Sequence, residues 1–284
     1  MGRDVRKYGI ENWRVIVMAI KLFVTDIDGT LLVTGRAISE KNLRAVHEMI
    51  DAGVIFTLAT GRMYGATLPI ARALGVEASL ISYNGALIKT TAGEVIHEET
   101  LPKDLALALI EFGEERGWHV QTYAGDRLRY ARRNELSDGY ELAVNVKGEA
   151  VGWDGLKKFS AGSYKILLVT NGTLASDEAI KILTAEFGDR IDALKSNPQY
   201  VEITSKGVSK ASAIKILAAR YGLTIEETLA IGDSGNDIPM IRAAGVGVAM
   251  GNASADVKAA CDYVTGLCAD DGFAAAVDRF VFNR

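Results

Sequence analysis

The stretch KLFVTDIDGTL at residues 21–31 decides which fold this chain is expected to adopt. It opens with a short apolar run that ends abruptly at Asp26, which is typical of a strand covered on both faces. Asp26 and Asp28 are two positions apart, so their carboxylates point the same way in an extended segment. Two ionised carboxylates this close repel each other, and a bound cation relieves the repulsion. A surface turn rich in aspartate and glycine is the plainer alternative.

On either side of this stretch, short buried strands alternate with amphipathic helices. A helical pattern opens at Ser39, and strand-like apolar runs follow at residues 54–59 and 79–82. The alternation resumes with a helix over about 209–221 and a strand over 228–231. This rhythm predicts an α/β fold built on a Rossmann-like, doubly wound parallel sheet.

The middle of the chain has a different pattern. Residues 86–195 hold several strand-like runs and two amphipathic helices, which predicts an inserted α+β cap domain. The Rossmann-like core is then expected to comprise residues 18–85 and 196–284. The turn formers Asn84-Gly85 and Ser196-Asn197-Pro198 are the predicted hinges.

Three further motifs carry candidate chemistry. Thr60-Gly61-Arg62 follows a predicted strand and offers a hydroxyl and a backbone N–H to a phosphate oxygen. Lys210 lies near a helix start, where an anion suits both the ammonium and the free N–H groups. Residues 232–237, GDSGND, offer the hard oxygen ligands that Mg²⁺ prefers. Because ligand sites in parallel sheets lie beyond the carboxyl ends of the strands, these motifs are expected to converge.

Taken singly, each of these motifs also has a purely structural explanation. A Thr-Gly pair is common at strand ends, and a lysine near a helix start is often simply solvated. The GDSGND run alone is compatible with a turn rich in Asp and Asn. The combination of motifs is therefore more informative than any one of them.

Composition narrows the classes of partner. The 284-residue chain has a formal net charge of −4, so we expect no nucleic-acid partner and no attraction to an anionic membrane. No apolar segment reaches the roughly 18 residues that a membrane helix needs. Its two cysteines argue against a disulfide scaffold and favour a cytoplasmic protein. We expect a monomer or a homodimer.

Together the four motifs resemble the motif set of the haloacid dehalogenase superfamily. Their order and spacing resemble the Cof-type branch, in which a large α/β cap of the C2 type lies between the second and third motifs. The resemblance runs from about Met18 to the C-terminus. Residues 1–17 are therefore expected to be an N-terminal extension.

The resemblance implies a role for each motif residue. Asp26 is the expected nucleophile, and Asp28 is the expected general acid and base. Mg²⁺ is the expected cofactor, held by Asp26, Asp233 and the backbone carbonyl of Asp28. The remaining expectations are phosphate contacts from Thr60, Gly61, Lys210 and Asn236, outer support from Asp237, and substrate contacts from Asn84 and Arg62.

The implied activity is a magnesium-dependent phosphatase that forms an aspartyl-phosphate intermediate. Its substrate is expected to be a small phosphorylated metabolite, such as a sugar phosphate or a phosphoglycolate-like acid. The alternatives are a phosphomutase of the same superfamily and a non-catalytic ligand-binding member. Loss of Asp26 or Asp233 would favour the latter, but both are present. The cap residues Tyr123, Arg127 and Arg129 are expected to be solvated rather than to contact substrate.

Overall fold

The computed structural model describes residues 20–284. Within them the chain forms two β-sheets, each with its own helices. The predicted extension at residues 1–17 lies outside the described residues.

The first sheet has eight strands, and its centre is parallel. Asp26 directly follows its β1 strand, which is paired in parallel on both sides. The last two strands at one edge are antiparallel. In spatial order the strands are β14 (Tyr263–Val264), β13 (Val246–Ala249), β12 (Thr228–Gly232), β1 (Leu22–Thr25), β2 (Ile55–Ala59), β3 (Ser79–Ser82), β4 (Leu87–Thr90) and β5 (Val95–Glu98).

Helices cover both faces of this sheet, because its strands are apolar on both sides. Phe23 packs in a cluster on one face, while Leu22 and Val24 pack in a cluster on the other. The helices of the first face are α1 (Glu40–Asp51), α2 (Tyr64–Leu74) and α10 (Gly272–Phe280). Those of the second face are α7 (Lys210–Arg220), α8 (Ile238–Ala243) and α9 (Ala255–Lys258). The predicted doubly wound α/β fold is confirmed.

The second sheet has six strands and is mostly antiparallel. In spatial order they are β10 (Ile191–Asn197), β11 (Tyr200–Ser205), β9 (Ser163–Val169), β6 (His119–Ala124), β7 (Arg127–Tyr130) and β8 (Glu149–Ala150). Its helices are α3 (Lys103–Glu115), α4 (Glu135–Val144), α5 (Gly152–Lys158) and α6 (Thr173–Phe187). We call residues 101–205 the cap and the rest of the described chain the core.

The two faces of the cap sheet have different neighbours. Ile166 and Leu168 point into an apolar cluster shared with α3 and α6. Leu167, on the opposite face, belongs to the cluster that also contains the core residues Met63 and Tyr83. The cap sheet therefore lies with one face directly on the core.

Sheet membership corrects the predicted domain boundaries. Strands β4 and β5 lie within the predicted insert at 86–195, but they extend the core sheet through β3. Strand β11 lies within the predicted core segment at 196–284, but it pairs with β9 of the cap. An antiparallel hairpin at a sheet edge has the same local pattern as a strand pair in a separate domain, so sequence alone misplaces it.

The predicted hinges are also wrong. Asn84 is buried in a 3₁₀ turn between β3 and β4, and Ser196 and Asn197 are part of β10. The chain crosses between the two sheets near residues 99–102 and 206–209 instead.

Among residues 20–284, every helix is too short or too polar to cross a bilayer.

Candidate active site

The predicted motifs meet at the carboxyl ends of three neighbouring strands. Asp26 follows β1, Thr60 follows β2 and Asp233 follows β12, and these strands pair side by side. Backbone bonds continue the pairing past the strands: Asp26 N–H donates to Ile231 O at 3.0 Å, and Thr60 N–H donates to Ile81 O at 2.9 Å. The expected convergence is therefore present.

Lys210 is the first residue of α7, and its side chain is fully buried. The helix start is fixed by Ser209 and Ser212, which cap it reciprocally. From there Lys210 Nζ donates to Asp26 Oδ1 and to Asp237 Oδ1, each at 2.6 Å. Burial disfavours the charged ammonium, but the two carboxylates outweigh it and raise the pKa of Lys210. The ammonium thus holds the nucleophile candidate in one orientation.

Asp26, Asp233 and Asp237 form a compact acidic cluster. One oxygen from each lies within 4.8 Å of the other two. Burial is the main cause that raises the pKa of Asp26, and burial followed by the Asp237 carboxylate raises the pKa of Asp233 to about 7. If ionised, these three carboxylates carry three negative charges, and among residues 20–284 the cation hydrogen-bonded to them is Lys210, which balances one. A divalent cation fits this charge balance and this all-oxygen donor set.

Within the cluster, the three carboxylates have different surroundings. Asp237 Oδ2 accepts the backbone N–H groups of Asp233 and Ser234 at 3.1 and 3.0 Å, and its other oxygen accepts from Lys210. Both of its oxygens are therefore engaged. Within the part of the chain that the structure describes, the carboxylate of Asp233 instead accepts longer bonds, from the side chains of Thr30 (3.2 Å) and Asn252 (3.3 Å). Asp26 and Asp233 are therefore the better candidate ligands, whereas the hydrogen bonds of Asp237 orient the loop. The predicted supporting role of Asp237 stays a prediction.

The structure places the Asp28 carboxylate apart from this cluster. Arg62 binds it through two bonds, Nε to Oδ2 at 2.6 Å and one terminal nitrogen to Oδ1 at 2.7 Å. This fork fixes both oxygens of Asp28 and joins the first motif to the second. The Asp28 side chain is 32% exposed, so it remains accessible. The predicted metal contact through its backbone carbonyl stays a prediction.

The candidate phosphate contacts lie beside the cluster. Thr60 is buried, and its Oγ1 accepts the backbone N–H of Arg62 at 3.1 Å, which leaves its own hydrogen free to donate. Asn236 Nδ2 donates to Asn84 Oδ1 at 2.9 Å. Asn84 and Tyr83 both have positive φ, 57° and 52°. Such backbone is rare outside glycine and occurs preferentially at functional sites.

Several residues of this region were not predicted. Asn252, just past β13, donates to Gly29 O at 2.9 Å as well as to Asp233. The same rule that found the motifs, polar residues past a parallel strand, applies to it. The expectation of a solvated side chain is wrong for Tyr123, which is 1% exposed and packs against Tyr83 of the core, and for Arg129, which is also buried. Arg127 is exposed, as expected.

A comparison with family models matches residues 23–277 to the model described as haloacid dehalogenase-like hydrolase. The chain belongs to this family. The match confirms the resemblance to Cof-type members that the four motifs indicated.

Individual relatives agree with this assignment. A putative phosphatase of Streptococcus pyogenes is 31% identical over 94% of this chain and its own full length. The 5-amino-6-(5-phospho-D-ribitylamino)uracil phosphatase of Bacillus subtilis is 30% identical over 92% of this chain and 96% of its own. The solved sugar phosphatase BT4131 superposes with a TM-score of 0.81 at 26% identity, covering 92% of this chain and 98% of its own. This chain is therefore a phosphatase, a hydrolase of phosphoric monoesters.

Proposed function

We propose that this enzyme uses Mg²⁺ to hydrolyse a small phosphorylated metabolite, most suitably a sugar phosphate, through an aspartyl-phosphate on Asp26. The observation that carries the proposal is the contact of Lys210 Nζ with Asp26 Oδ1, beside Asp233. A carboxylate whose one oxygen is held by a buried ammonium presents its other oxygen for attack. Lys210, together with the cation that the acidic cluster fits, would supply preorganised positive charge to the phosphoryl oxygens in the transition state.

Asp26 and Asp233 would hold the metal, and Asp237 would keep Asp233 and Lys210 in place. When bound, Mg²⁺ supplies positive charge that offsets the phosphoryl oxygens and the carboxylates. Lys210, which contacts both Asp26 and Asp237, contributes positive charge in the same way. Thr60 Oγ1 and Asn236 Nδ2 would be the neutral donors to the remaining phosphoryl oxygens, since Thr60 Oγ1 retains its own hydrogen and the Asn236 amide has a second one.

In the first step, a carboxylate oxygen of Asp26 forms a bond to phosphorus while the bond from phosphorus to the ester oxygen breaks. The electron pair goes to the ester oxygen, which takes a proton from Asp28. In the second step, water attacks phosphorus, its proton goes to Asp28, and Asp26 is released with inorganic phosphate. Arg62 orients the Asp28 carboxyl for both transfers.

The class of substrate follows from the cap and from the relatives. The cap lies directly on the core, which favours a small molecule over a macromolecular substrate. Relatives are named a sugar phosphatase and a phosphatase of a phosphoribitylamino compound. Both names favour a phosphorylated sugar or polyol over a phosphoglycolate-like acid. Cytoplasmic location, a monomeric or dimeric state and the absence of a nucleic-acid partner stay predictions.

The test compares wild type with Asp26→Asn, using 4-nitrophenyl phosphate with Mg²⁺ or with EDTA. Wild type should release phosphate only with Mg²⁺, and Asp26→Asn should lose activity by roughly a thousandfold or more. Asp51→Asn, an exposed position on α1, is the matched control and should retain activity. Full activity of Asp26→Asn would overturn the proposed nucleophile. Release of phosphate without any bisphosphorylated activator distinguishes hydrolysis from the phosphomutase alternative.

A further inference from the structure

The cap contains a buried ion pair outside the proposed catalytic machinery. Lys165 of β9 is 1% exposed, and Glu202 of β11 is 5% exposed. Lys165 Nζ donates to Glu202 Oε2 at 2.6 Å. Glu202 pairs directly with Leu167, two residues from Lys165, so all three side chains lie on the sheet face that meets the core.

The ammonium of Lys165 also forms a hydrogen bond between the cap and the core. It donates to the backbone carbonyl of Gly61 at 2.6 Å, within the Thr60–Arg62 motif. The other oxygen of Glu202 accepts from Ser196 Oγ at 2.9 Å, and the ring of Tyr123 lies 4.7 Å from Lys165 Nζ. Residues of the cap thus fix both members of the ion pair, and Lys165 contacts one backbone carbonyl of the core.

The Gly61 carbonyl belongs to the peptide unit that joins Gly61 to Arg62. The C=O of Gly61 and the N–H of Arg62 form one planar group, so rotating either end rotates the other. Lys165 holds the oxygen end, and Thr60 Oγ1 accepts the N–H end at 3.1 Å. The orientation of this plane sets where the Arg62 side chain begins, and Arg62 in turn holds Asp28.

Packing alone does not explain a charge at this position. Burying an ion pair is costly, and an apolar pair of similar volume is often at least as stable. Lys165 gains its second acceptor only while the cap lies on the core. There is also little spare room, since a Cβ on Gly61 would lie 3.1 Å from Asn84 Oδ1 and 3.4 Å from Glu202 Oε1.

We propose that Lys165, oriented by Glu202, is a positioning residue that fixes the Gly61–Arg62 peptide when the cap lies on the core. Through that peptide and the Arg62 side chain that begins there, it aligns Asp28 with the leaving oxygen. This inference rests on the proposed function, in which Asp28 protonates the leaving group. It assigns the cap a part in proton transfer in addition to covering the site.

The test measures how the rate depends on the leaving group. Wild type and Lys165→Met are compared on substituted phenyl phosphates, from 4-nitrophenyl, which leaves readily without a proton, to unsubstituted phenyl. Because misaligned Asp28 matters only when the leaving oxygen needs a proton, kcat should fall roughly tenfold or more for phenyl phosphate and far less for 4-nitrophenyl phosphate. Lys165→Arg, which restores a donor to Gly61 O, should recover part of the loss.

The double variant Lys165→Met/Glu202→Gln guards against misfolding, since it removes both buried charges and keeps an acceptor for Ser196. Lys157→Met, which breaks an ion pair with Glu114 inside the cap, is the matched control and should keep the wild-type dependence. A loss of equal size on every phenyl phosphate in the folded variants would overturn the inference and indicate a structural role. Failure of the proposed function is separately visible, as Mg²⁺-independent wild type or active Asp26→Asn.

Discussion

Lys210 in the core and Lys165 in the cap are both buried lysines, and each ammonium makes two hydrogen bonds at 2.6 Å. Their partners differ. Lys210 binds two carboxylates of the core, so its surroundings stay complete wherever the cap lies. Lys165 binds one carboxylate of the cap and one carbonyl of the core, so its surroundings are complete only when the two sheets are in contact. A buried ammonium can therefore serve the chemistry directly or make it depend on the cap.

The largest effect in this comparison is expected from Lys210→Met. Removing the ammonium takes a preorganised positive charge from beside Asp26, and kcat/KM for 4-nitrophenyl phosphate should fall about a thousandfold. Lys165→Met should cost far less on the same substrate, because Lys165 acts only through the Gly61–Arg62 peptide. Lys215→Met, an exposed position on the same helix as Lys210, controls for loss of charge alone. Equal losses for Lys210→Met and Lys165→Met would remove the distinction.

The next largest effect is expected from Gly85→Ala, a substitution beside the start of the helix that carries Lys210. Gly85 has φ 109°, and a Cβ there would lie 2.3 Å from the carbonyl oxygen of Ser209. Ser209 is the N-terminal capping residue of helix α7, which begins at Lys210. Gly85→Ala should therefore lower the free energy of unfolding by about 3 kcal/mol, since strain and a backbone clash combine. Urea denaturation measures the loss.

Gly53→Ala provides the matched control for that substitution. Gly53 has φ 85°, but a Cβ there would meet no atom of residues 20–284 within 4 Å. It should lose only about 1 kcal/mol, from the unfavourable backbone conformation. If both alanine variants lose the same free energy of unfolding, the close approach of residue 85 to Ser209 does not constrain the start of the helix that carries Lys210.

The two lysines also show how far the sequence predicts the site. Asp26, Thr60 and Asp233 follow apolar runs, and the ends of parallel strands share one edge, so their convergence was predictable. Lys210 was predicted because it lies near the start of the helical pattern over about 209–221, and the structure makes it the first residue of that helix. Lys165 lies in the middle of a strand, and the sequence of β9 does not indicate which face meets the core. Its partner on the other side of the interface depends on how the two sheets dock, and no local pattern encodes that.

The misplaced boundaries have a similar cause. The hairpin of β4 and β5 is built by local pairing, but the sheet that it joins is chosen by its pairing with β3. Likewise β11 adjoins α7 in sequence and pairs with the cap in space. Whether a segment forms a strand depends largely on its local sequence, whereas the sheet that it joins depends on distant pairing. The predicted domain boundaries were therefore wrong at strands whose sheet is set by that pairing.

Asn252→Ala is expected to have a smaller effect, on the candidate metal site of the core. Asn252 joins Asp233 to the carbonyl of Gly29, and outer partners of a metal ligand commonly change metal affinity by ten- to a hundredfold. The Mg²⁺ concentration for half-maximal activity should rise about tenfold, with kcat at saturating Mg²⁺ little changed. Asn171→Ala, an exposed position on the cap, is the control. An unchanged Mg²⁺ requirement would mean that Asp233 is oriented without Asn252.

The smallest effect concerns a second contact between cap and core, made by Asp126. Helix α2 has no capping side chain from its own preceding residue. Instead Asp126, in the turn between β6 and β7 of the cap, accepts the N–H of Gly65 at 2.9 Å and the hydroxyl of Tyr83. A cap carboxylate thus stabilises the start of the helix that follows the Thr60–Arg62 motif.

Asp126→Gly removes this carboxylate while tolerating the φ of 56° that Asp126 adopts. The free energy of unfolding should fall by about 1 kcal/mol, the usual value of a helix cap. Asn145→Gly is the matched control, because Asn145 has a φ of 52° elsewhere in the cap.

Combining Asp126→Gly with Lys165→Met then sharpens the comparison of the two lysines. If both contacts stabilise the same docked position of the cap, the loss of phenyl phosphate activity should be greater in the double variant than the product of the single losses. Independent effects would mean that Lys165 acts on its peptide alone, without help from the docking of the rest of the cap.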